Sequence, residues 1–280
     1  MHEDMSATTA IKIIETPSIE QIQVATEWLA NYHSTPDLQL ALDYILKHQI
    51  VPNQRGGLVA LAYTQSIIPS NIKGVVMIKP ENNLKIESSD YSAAESLLAV
   101  ATAHSCPHRI FTSSQVKSWI RPLLIKHYSL TREYDQFVMI CTQPPIGGEG
   151  RWVLPEDKET LQIYAQAYLA ERGSGSLNYD WDDLIQQQVI AVLEYDGQIV
   201  SVVRYAATKR DAFIIAPFTF LKFRRQGFAQ KLIAFLVGKL LKEYLTVKLW
   251  VDEDNVAACA LYHSLGFQQV ARCYTGYFRN

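Results

Sequence analysis

Six consecutive residues, Arg224-Arg225-Gln226-Gly227-Phe228-Ala229, stand between an apolar strand-like run and a long helical pattern, and that position gives them chemistry. The first backbone N–H groups of a helix have no intrahelical partner, and the helix dipole adds roughly +0.5 charge there. The turn therefore reads as an anion site of the kind that takes a pyrophosphate. Gly227 and Ala229 are small enough to let such a group approach the backbone, and Arg224 and Arg225 add counter-charge. Arg-x-x-Gly-x-Ala by itself is more often a solvated basic loop capping a helix, so its neighbours decide.

Two neighbours bear on it. Asn255 and Tyr262 are seven residues apart on a short downstream helix, which at 100° per residue brings them to one face, with Ala258 and Cys259 between them. Ala257, Leu261 and Leu265 mark the opposite, core-facing side, so Tyr262 need not be a core aromatic, although burial is the better bet for a lone tyrosine. Upstream, Pro217 removes a ladder donor from the strand before the turn, so pairing on one side should fail there. A strand with one unpaired edge can accept an extended amide-bearing arm as it would a peptide strand.

The elements that must position these residues follow from periodicity. Phe228, Leu232, Leu236 and Leu240 recur every four residues and predict a helix over 227–245. A strand over 247–251 and a helix over 255–265 that stops at Gly266 come next, then one or two strands over 267–277. Before the turn, a strand at 151–154 precedes a helix opened by Pro155, carrying Leu161, Tyr164, Ala165 and Tyr168 at helical spacing and ended by Gly173-Ser174-Gly175-Ser176. A short helix over 180–187 leads to a hairpin of strands 189–195 and 198–205 about Asp196-Gly197, and a strand over 212–219. Two prolines and three glycines between Thr142 and Gly150 have the composition of a linker. The first half reads in the same order: helices over 19–30 and 37–47, strands over 58–63, 74–79 and 84–87, a helix over 93–103, a strand over 109–112, a helix over 116–125 and a strand over 136–141. The repeated order predicts an α/β fold with mixed sheets built from two tandem copies, without residue-level identity between the halves.

Composition bounds the rest. In 280 residues, 48% hydrophobic and 19% charged side chains supply real cores and too little charge for a disordered chain. A net charge of −2 with scattered basic residues gives no nucleic-acid-binding face. The acidic start Met1-His2-Glu3-Asp4 and the interruption of the most apolar stretch by Lys239, Lys242 and Glu243 predict a soluble, cytoplasmic chain with no membrane partner. Cys106, Cys141, Cys259 and Cys273 form no Cys-x-x-Cys pair, and Pro107 breaks any helix that would align His104, Cys106 and His108, so no metal site is expected.

Taken together, these motifs resemble the GCN5-related N-acetyltransferase (GNAT) family over roughly the last 130 residues. The family motif Arg/Gln-x-x-Gly-x-Gly/Ala is matched by Arg224, Gly227 and Ala229, and the strand segment before it by Pro217, Phe218 and Thr219. The downstream pattern is matched by Asn255, Ala258, Leu261, Tyr262, Leu265, Gly266 and Phe267. The resemblance implies acetyl-CoA as acyl donor, with its pantetheine arm along the strand. It implies a cofactor-binding set of Pro217, Phe218, Thr219, Arg224, Arg225, Gln226, Gly227, Phe228, Ala229, Gln230, Asn255 and Tyr262, and no metal. The whole chain is similar to two-domain GNAT proteins in which only the second domain keeps the cofactor site. Residues 1–145 are then a degenerate GNAT-like domain, each domain a mostly antiparallel twisted sheet flanked by helices, and 146–280 is the catalytic one. Where the first half would need its own turn it has Ser88-Ser89-Asp90-Tyr91, and Asp90 would repel a phosphate.

The implied reaction is transfer of an acetyl group to a primary amine of a small molecule, peptide or protein. Tyr262 is the candidate acid for the departing thiolate, and Glu171 is the candidate base, with Glu194 a second. Asn255 either contacts the cofactor or caps its helix. A non-catalytic acyl-CoA sensor and an aminoacyl or peptidyl transferase of tandem GNAT-like fold are the alternatives, and a homodimer is an allowed assembly. The acceptor is not legible, since acceptor sites are built from loops; Trp28, Trp119, Trp152 and Trp181 are more often packing residues.

Overall fold

Residues 10–51, 57–79, 81–172 and 179–280 are described by a computed structural model. The expected helix end at Gly173-Ser174-Gly175-Ser176 and the acidic start at Met1-His2-Glu3-Asp4 lie outside the described residues. The elements of the first half are β1 (Lys12–Ile14), α1 (Ile19–Leu29), α2 (Pro36–His48), β2 (Leu58–Tyr63), β3 (Ile72–Ile78), β4 (Asn83–Ser88), α3 (Tyr91–His104), β5 (Arg109–Ser113), α4 (Ser114–Leu124) and β6 (Ser129–Cys141). Those of the second are β7 (Arg151–Trp152), α5 (Lys158–Arg172), α6 (Trp181–Gln186), β8 (Ile190–Tyr195), β9 (Gln198–Ala207), β10 (Asp211–Thr219), α7 (Phe228–Leu240), β11 (Thr246–Asp252), α8 (Val256–Ser264) and β12 (Gln268–Arg279). Among the described residues no helix is long and apolar enough to cross a membrane.

Two compact units result. The first runs to Val138 and takes in Asp252–Asp254 and Val270–Asn280; the second comprises Met139–Val251 and Asn255–Gln269. The last strand of the chain is thus part of the first unit, where β12 pairs antiparallel with β5 from Cys273↔Ser113 to Tyr277↔Arg109. In this unit strands run in the order β1-β2-β3-β4-β5-β12-β6. All registered pairs there are antiparallel except β4 with β5. Because side chains alternate between faces, Val59 and Leu61 pack with α1 and α2 on one side. Ala60 and Ala62 pack with α3 and α4 on the other. In the second unit the order is β7-β8-β9-β10-β11, antiparallel except β10 with β11. There α5 and α6 cover one face through Leu161, Tyr164, Ala165, Trp181 and Ile185. Helix α7 packs on β8, β9 and β10, burying Phe228, Leu232, Ile233, Leu236 and Leu240 as its four-residue spacing requires.

Three expectations change. Strand β6 starts at Ser129 rather than 136, because charged Arg132, Glu133 and Asp135 mask a strand whose residues alternate between exposed and half-buried. Helix α7 ends at Leu240 rather than 245. The chain tightens there, with Lys242 N–H on Lys239 C=O and Glu243 N–H on Leu240 C=O, before Leu245 N–H bonds the Arg210 carbonyl at the start of the next strand. The short β1 was not foreseen; three residues carry no measurable period.

The first unit holds one acid in an unusual setting. Glu87, 1% exposed on β4, accepts bonds from Ser113 Oγ at 2.9 Å, Ser34 Oγ at 3.0 Å and the Ser88 N–H at 3.0 Å. Burial outweighs these donors and pushes its carboxyl up to about 7 from an ordinary 4.5. Between those values the folded protein keeps a proton that the unfolded chain has released. Stability is therefore fully present below about pH 4.5 and falls as pH rises through 7, by about 3 kcal/mol. Denaturant midpoints of Glu87→Gln at pH 5 and pH 8 are expected to lack most of the decline seen in the parent.

Candidate functional site

The site begins where β10 and β11 part. Their parallel register covers Asp211↔Thr246, Ala212↔Val247 and Phe213↔Lys248 and goes no further. That closed end is pinned from within: Lys248 Nζ, 3% exposed, lies 2.7 Å from Asp211, and Thr246 Oγ1 donates to the same carboxylate at 2.6 Å. Beyond Phe213 the backbone of β10 is free on its β11 side among the described residues. On its other side β10 follows β9 to Ile215↔Arg204 and resumes at Phe218↔Val202. Three steps on one strand against two on the other place one extra residue, a bulge, at Ala216-Pro217. Ala216 carries it with φ +49°, although it is not glycine, and Tyr164 Oη donates to the Ala216 carbonyl at 2.8 Å to hold it. The edge opens at Ile214, three residues before the proline that signals it.

After β10 comes the turn. Arg225 has φ +63° and Gly227 φ +81°, so two left-handed residues curl the backbone into the start of α7. Gly227 is the helix N-cap and offers no side-chain cap. A Cβ at Gly227 would meet nothing within 4 Å, so space is open over the helix end, and it is the backbone conformation that calls for glycine. The unpartnered first-turn N–H groups of a 13-residue helix face that space. Phe228 sends its side chain inward, against Tyr195 at 5.1 Å between ring centroids and Phe223 at 6.3 Å, leaving only its backbone for a ligand. Gln226 Nε2 reaches the Lys222 carbonyl, and Gln230 Nε2 reaches Ser264 Oγ at 3.4 Å, joining α7 to the end of α8.

The two arginines of the turn differ. Arg225 is exposed and makes no ion pair among the described residues. Arg224 is engaged: its Nε donates to the Thr219 carbonyl at 2.9 Å, its Nη atoms grip both oxygens of Glu171, and its guanidinium lies 5.4 Å over the Phe218 ring. It ties α5, the end of β10 and the turn together. The Arg224 guanidinium holds the Glu171 carboxyl below the usual range, which suits a counter-ion better than a proton acceptor. The other base candidate, Glu194, pairs with Arg151 at 3.1 Å. Thr219 Oγ1 and Ser201 Oγ are 2.9 Å apart, and Ser201 Oγ also donates to the Phe218 carbonyl.

On α8, Asn255 caps its own helix, Oδ1 accepting from the Ala258 N–H at 3.1 Å. Asn255→Ala is expected to lower stability by about 1 kcal/mol, and Asn255→Asp, which keeps the cap, to restore it. Acetyl-CoA affinity in Asn255→Asp then reports whether Nδ2 has a separate role: unchanged binding confines Asn255 to capping. Tyr262 takes the buried position that a lone tyrosine favours. It is 5% exposed and is the buried residue of the helix, whereas Ala257 on the supposed core side is exposed. The reason is Phe267, whose ring stands 5.8 Å from that of Tyr262 after the chain turns back at Gly266. Burial, with Tyr168 and Cys259 nearby, pushes the Tyr262 phenol well above its ordinary value. Its hydroxyl forms no hydrogen bond among the described residues.

Tyr164 and Tyr168 were legible only as a helical stripe. The structure gives both a place in the site: Tyr164 on the bulge, and Tyr168 between Phe218, at 6.3 Å, and Tyr262. The tryptophans pack: Trp28 within the α1–α2 core, Trp119 against the α3–α4 core, Trp152 beside Tyr205 and Phe235, and Trp181 beside Tyr179. Among the described residues no group of three or more His, Cys, Asp or Glu is arranged to hold a metal ion.

The matching point of the first unit is built differently. Asp90 caps α3, its Oδ1 accepting from the Ala93 N–H at 2.9 Å, so that helix end is filled by the chain's own carboxylate. Strand β4 runs beside β3 without a register shift from Gly74↔Ser88 to Ile78↔Leu84 and keeps its parallel pairing with β5 to Ile86↔Thr112.

Residues 157–267 match the model of the acetyltransferase (GNAT) family. A GCN5-related N-acetyltransferase from Sphaerobacter thermophilus is similar over 94% of both chains, with TM-score 0.65 and 16% identity. A GNAT-family acetyltransferase from Colwellia psychrerythraea covers 96% of this chain and 100% of its own, with TM-score 0.59 and 14% identity. A tandem GNAT protein from the clavulanic acid biosynthesis pathway covers 95% and 98%, with TM-score 0.54 and 11% identity. At these identities the likeness is one of fold, and it spans both units. No curated protein matches the sequence.

Proposed function

We propose that the chain, whose residues 157–267 match the model of the acetyltransferase (GNAT) family, is an acetyl-CoA-dependent N-acetyltransferase acting on a primary amine, with its one donor site in 146–280. The observation that carries this reading is the coincidence, within one unit, of an uncapped helix end at Gly227 and a strand whose pairing stops at Phe213. A pyrophosphate fits the first and an amide-bearing arm the second. The N–H groups of the α7 first turn hold the phosphates, with Arg225 as exposed counter-charge and Arg224 as the brace of the turn. The open edge of β10 from Ile214 to Thr219 receives the arm.

Bound acetyl-CoA supplies a thioester: a C–N bond forms to the amine, the C–S bond breaks, and the sulfur leaves as a thiolate that needs a proton. Tyr262 provides that proton from its hydroxyl and takes one back from solvent once the thiol has left and the site opens. Its buried ring keeps the phenol protonated across the neutral range, and the surrounding Tyr168 and Phe267 keep water away. The proton lost by the amine passes to solvent, because Glu171 is held as the counter-ion of Arg224. Glu171→Gln is accordingly expected to weaken acetyl-CoA binding several-fold through a loosened turn while leaving the shape of the pH–rate profile unchanged; a lost acidic limb would restore Glu171 as base. Residues 1–145 bind no donor in this account, since α3 is closed by Asp90. Thiol release from acetyl-CoA that depends on added primary amine tests the proposal. Tight acetyl-CoA binding without amine-dependent release across a broad amine panel would instead mark an acyl-CoA sensor.

A further inference from the structure

Arg204 lies on β9, registered with Ile190 on one side and Ile215 on the other. Its guanidinium stacks 4.3 Å over the Tyr179 ring, and Nη2 donates to Tyr179 Oη at 3.1 Å. Its Nε is buried and has no hydrogen-bond partner, and no carboxylate is paired with Arg204 among the described residues. A partly buried guanidinium with an unmet donor is an incomplete arrangement: buried charges are ordinarily paired, and buried N–H groups ordinarily bonded.

The surroundings say what is missing. Tyr164 neighbours Arg204, the Tyr168 ring stands 6.0 Å from that of Tyr164, and Tyr168 in turn neighbours Tyr262. Tyr164 and Tyr168 stack on Phe218 at 5.8 and 6.3 Å, and Trp181 stands 5.6 Å from Tyr179. Along β9, Arg204 is two residues, ~7 Å, from Val202, which is opposite Phe218. An aromatic wall of Tyr164, Phe218 and Tyr168 therefore lies between one unpaired cation and the proposed proton donor.

We propose that Arg204, braced on Tyr179, binds the carboxylate of the acceptor, and that the acceptor is an amino-acid-like amine with an apolar or aromatic body. The guanidinium fork matches a carboxylate, the tyrosine rings take the apolar body, and the amine is left facing the open edge of β10. This assignment rests on the acyl-transfer reading and specifies the substrate class of the same site.

Matched pairs test it: phenylalanine against phenethylamine and tyrosine against tyramine as acceptors, and N-acetylphenylalanine against N-acetylphenethylamine as ligands, the latter by calorimetry without turnover. The carboxylate member is expected to bind and react roughly 10–100-fold better. Arg204→Gln is expected to erase that preference through KM and ligand Kd, Arg204→Lys to recover part of it, and acetyl-CoA affinity to stay at the parent value in both. Equal binding of the two N-acetyl ligands, binding of neither, or a preference that survives Arg204→Gln overturns the subsite. The parent comparison needs no variant to fold. Absence of acetyl-CoA binding in the parent is a separate result, which strikes the acyl-transfer reading while the ligand titrations still judge Arg204.

Discussion

Tyr262→Phe is expected to lower kcat for amine-dependent thiol release by about 10²–10⁴ while acetyl-CoA affinity and thermal stability stay near the parent values. The ring is the packed part of this residue, 5% exposed and set against Phe267, and phenylalanine keeps it. The hydroxyl holds no partner among the described residues, so its loss breaks no structural bond. What disappears is the proton for the thiolate, whose ordinary pKa is about 8.5. Since the Tyr262 phenol is pushed well above its ordinary range, it stays protonated at any working pH. No alkaline decline in kcat/KM below about pH 10 should trace to it. Full turnover in Tyr262→Phe would remove the residue from the mechanism.

Gly227→Asp is expected to raise the Kd for acetyl-CoA roughly 100-fold, equivalent to about 3 kcal/mol, at a cost in stability of about 1 kcal/mol from the left-handed backbone. The substitution puts at the start of α7 the carboxylate that Asp90 puts at the start of α3, setting negative charge where a phosphate would sit. Aspartate tolerates the left-handed conformation that Gly227 adopts at φ +81° better than most residues, and its Cβ meets no neighbour. Gly227→Val is the useful contrast, since it adds no charge but strains that conformation and should lose stability as well. The reciprocal change Asp90→Gly is not expected to create a second donor site, because β4 stays paired with β5 to Ile86.

What was legible beforehand was local. The spacing of Phe228, Leu232, Leu236 and Leu240 is enough to place α7 and its buried stripe, and Asp196-Gly197, both at positive φ, carries the hairpin between β8 and β9 in two letters. The turn at Arg224–Ala229 could be found because a helix start, two cations and a small residue lie in six positions. The bond that fixes Arg224 could not, since Glu171 is 53 residues away and one exposed glutamate looks like another. The bulge at Ala216 sits on a residue that gives no glycine signal, and only its neighbour Pro217 hinted at it. The face of Tyr262 could not be settled from spacing, because a nine-residue helix of mostly small apolar residues has almost no amphipathic contrast, and the packing of Phe267 decides it. The return of β12 to pair with β5 joins Cys273 to Ser113, a long-range register that no local pattern specifies. Arg204 carries no signal of its own in the sequence; its meaning comes from Tyr179 beneath it and from the donor left unmet.

Calorimetric titration of the full chain with acetyl-CoA tests the central claim most directly. The account predicts saturable binding with one molecule per chain, abolished or weakened roughly 100-fold by Gly227→Asp and untouched by Asp90→Gly. No binding, two molecules per chain, or one molecule that survives Gly227→Asp with unchanged affinity would contradict it.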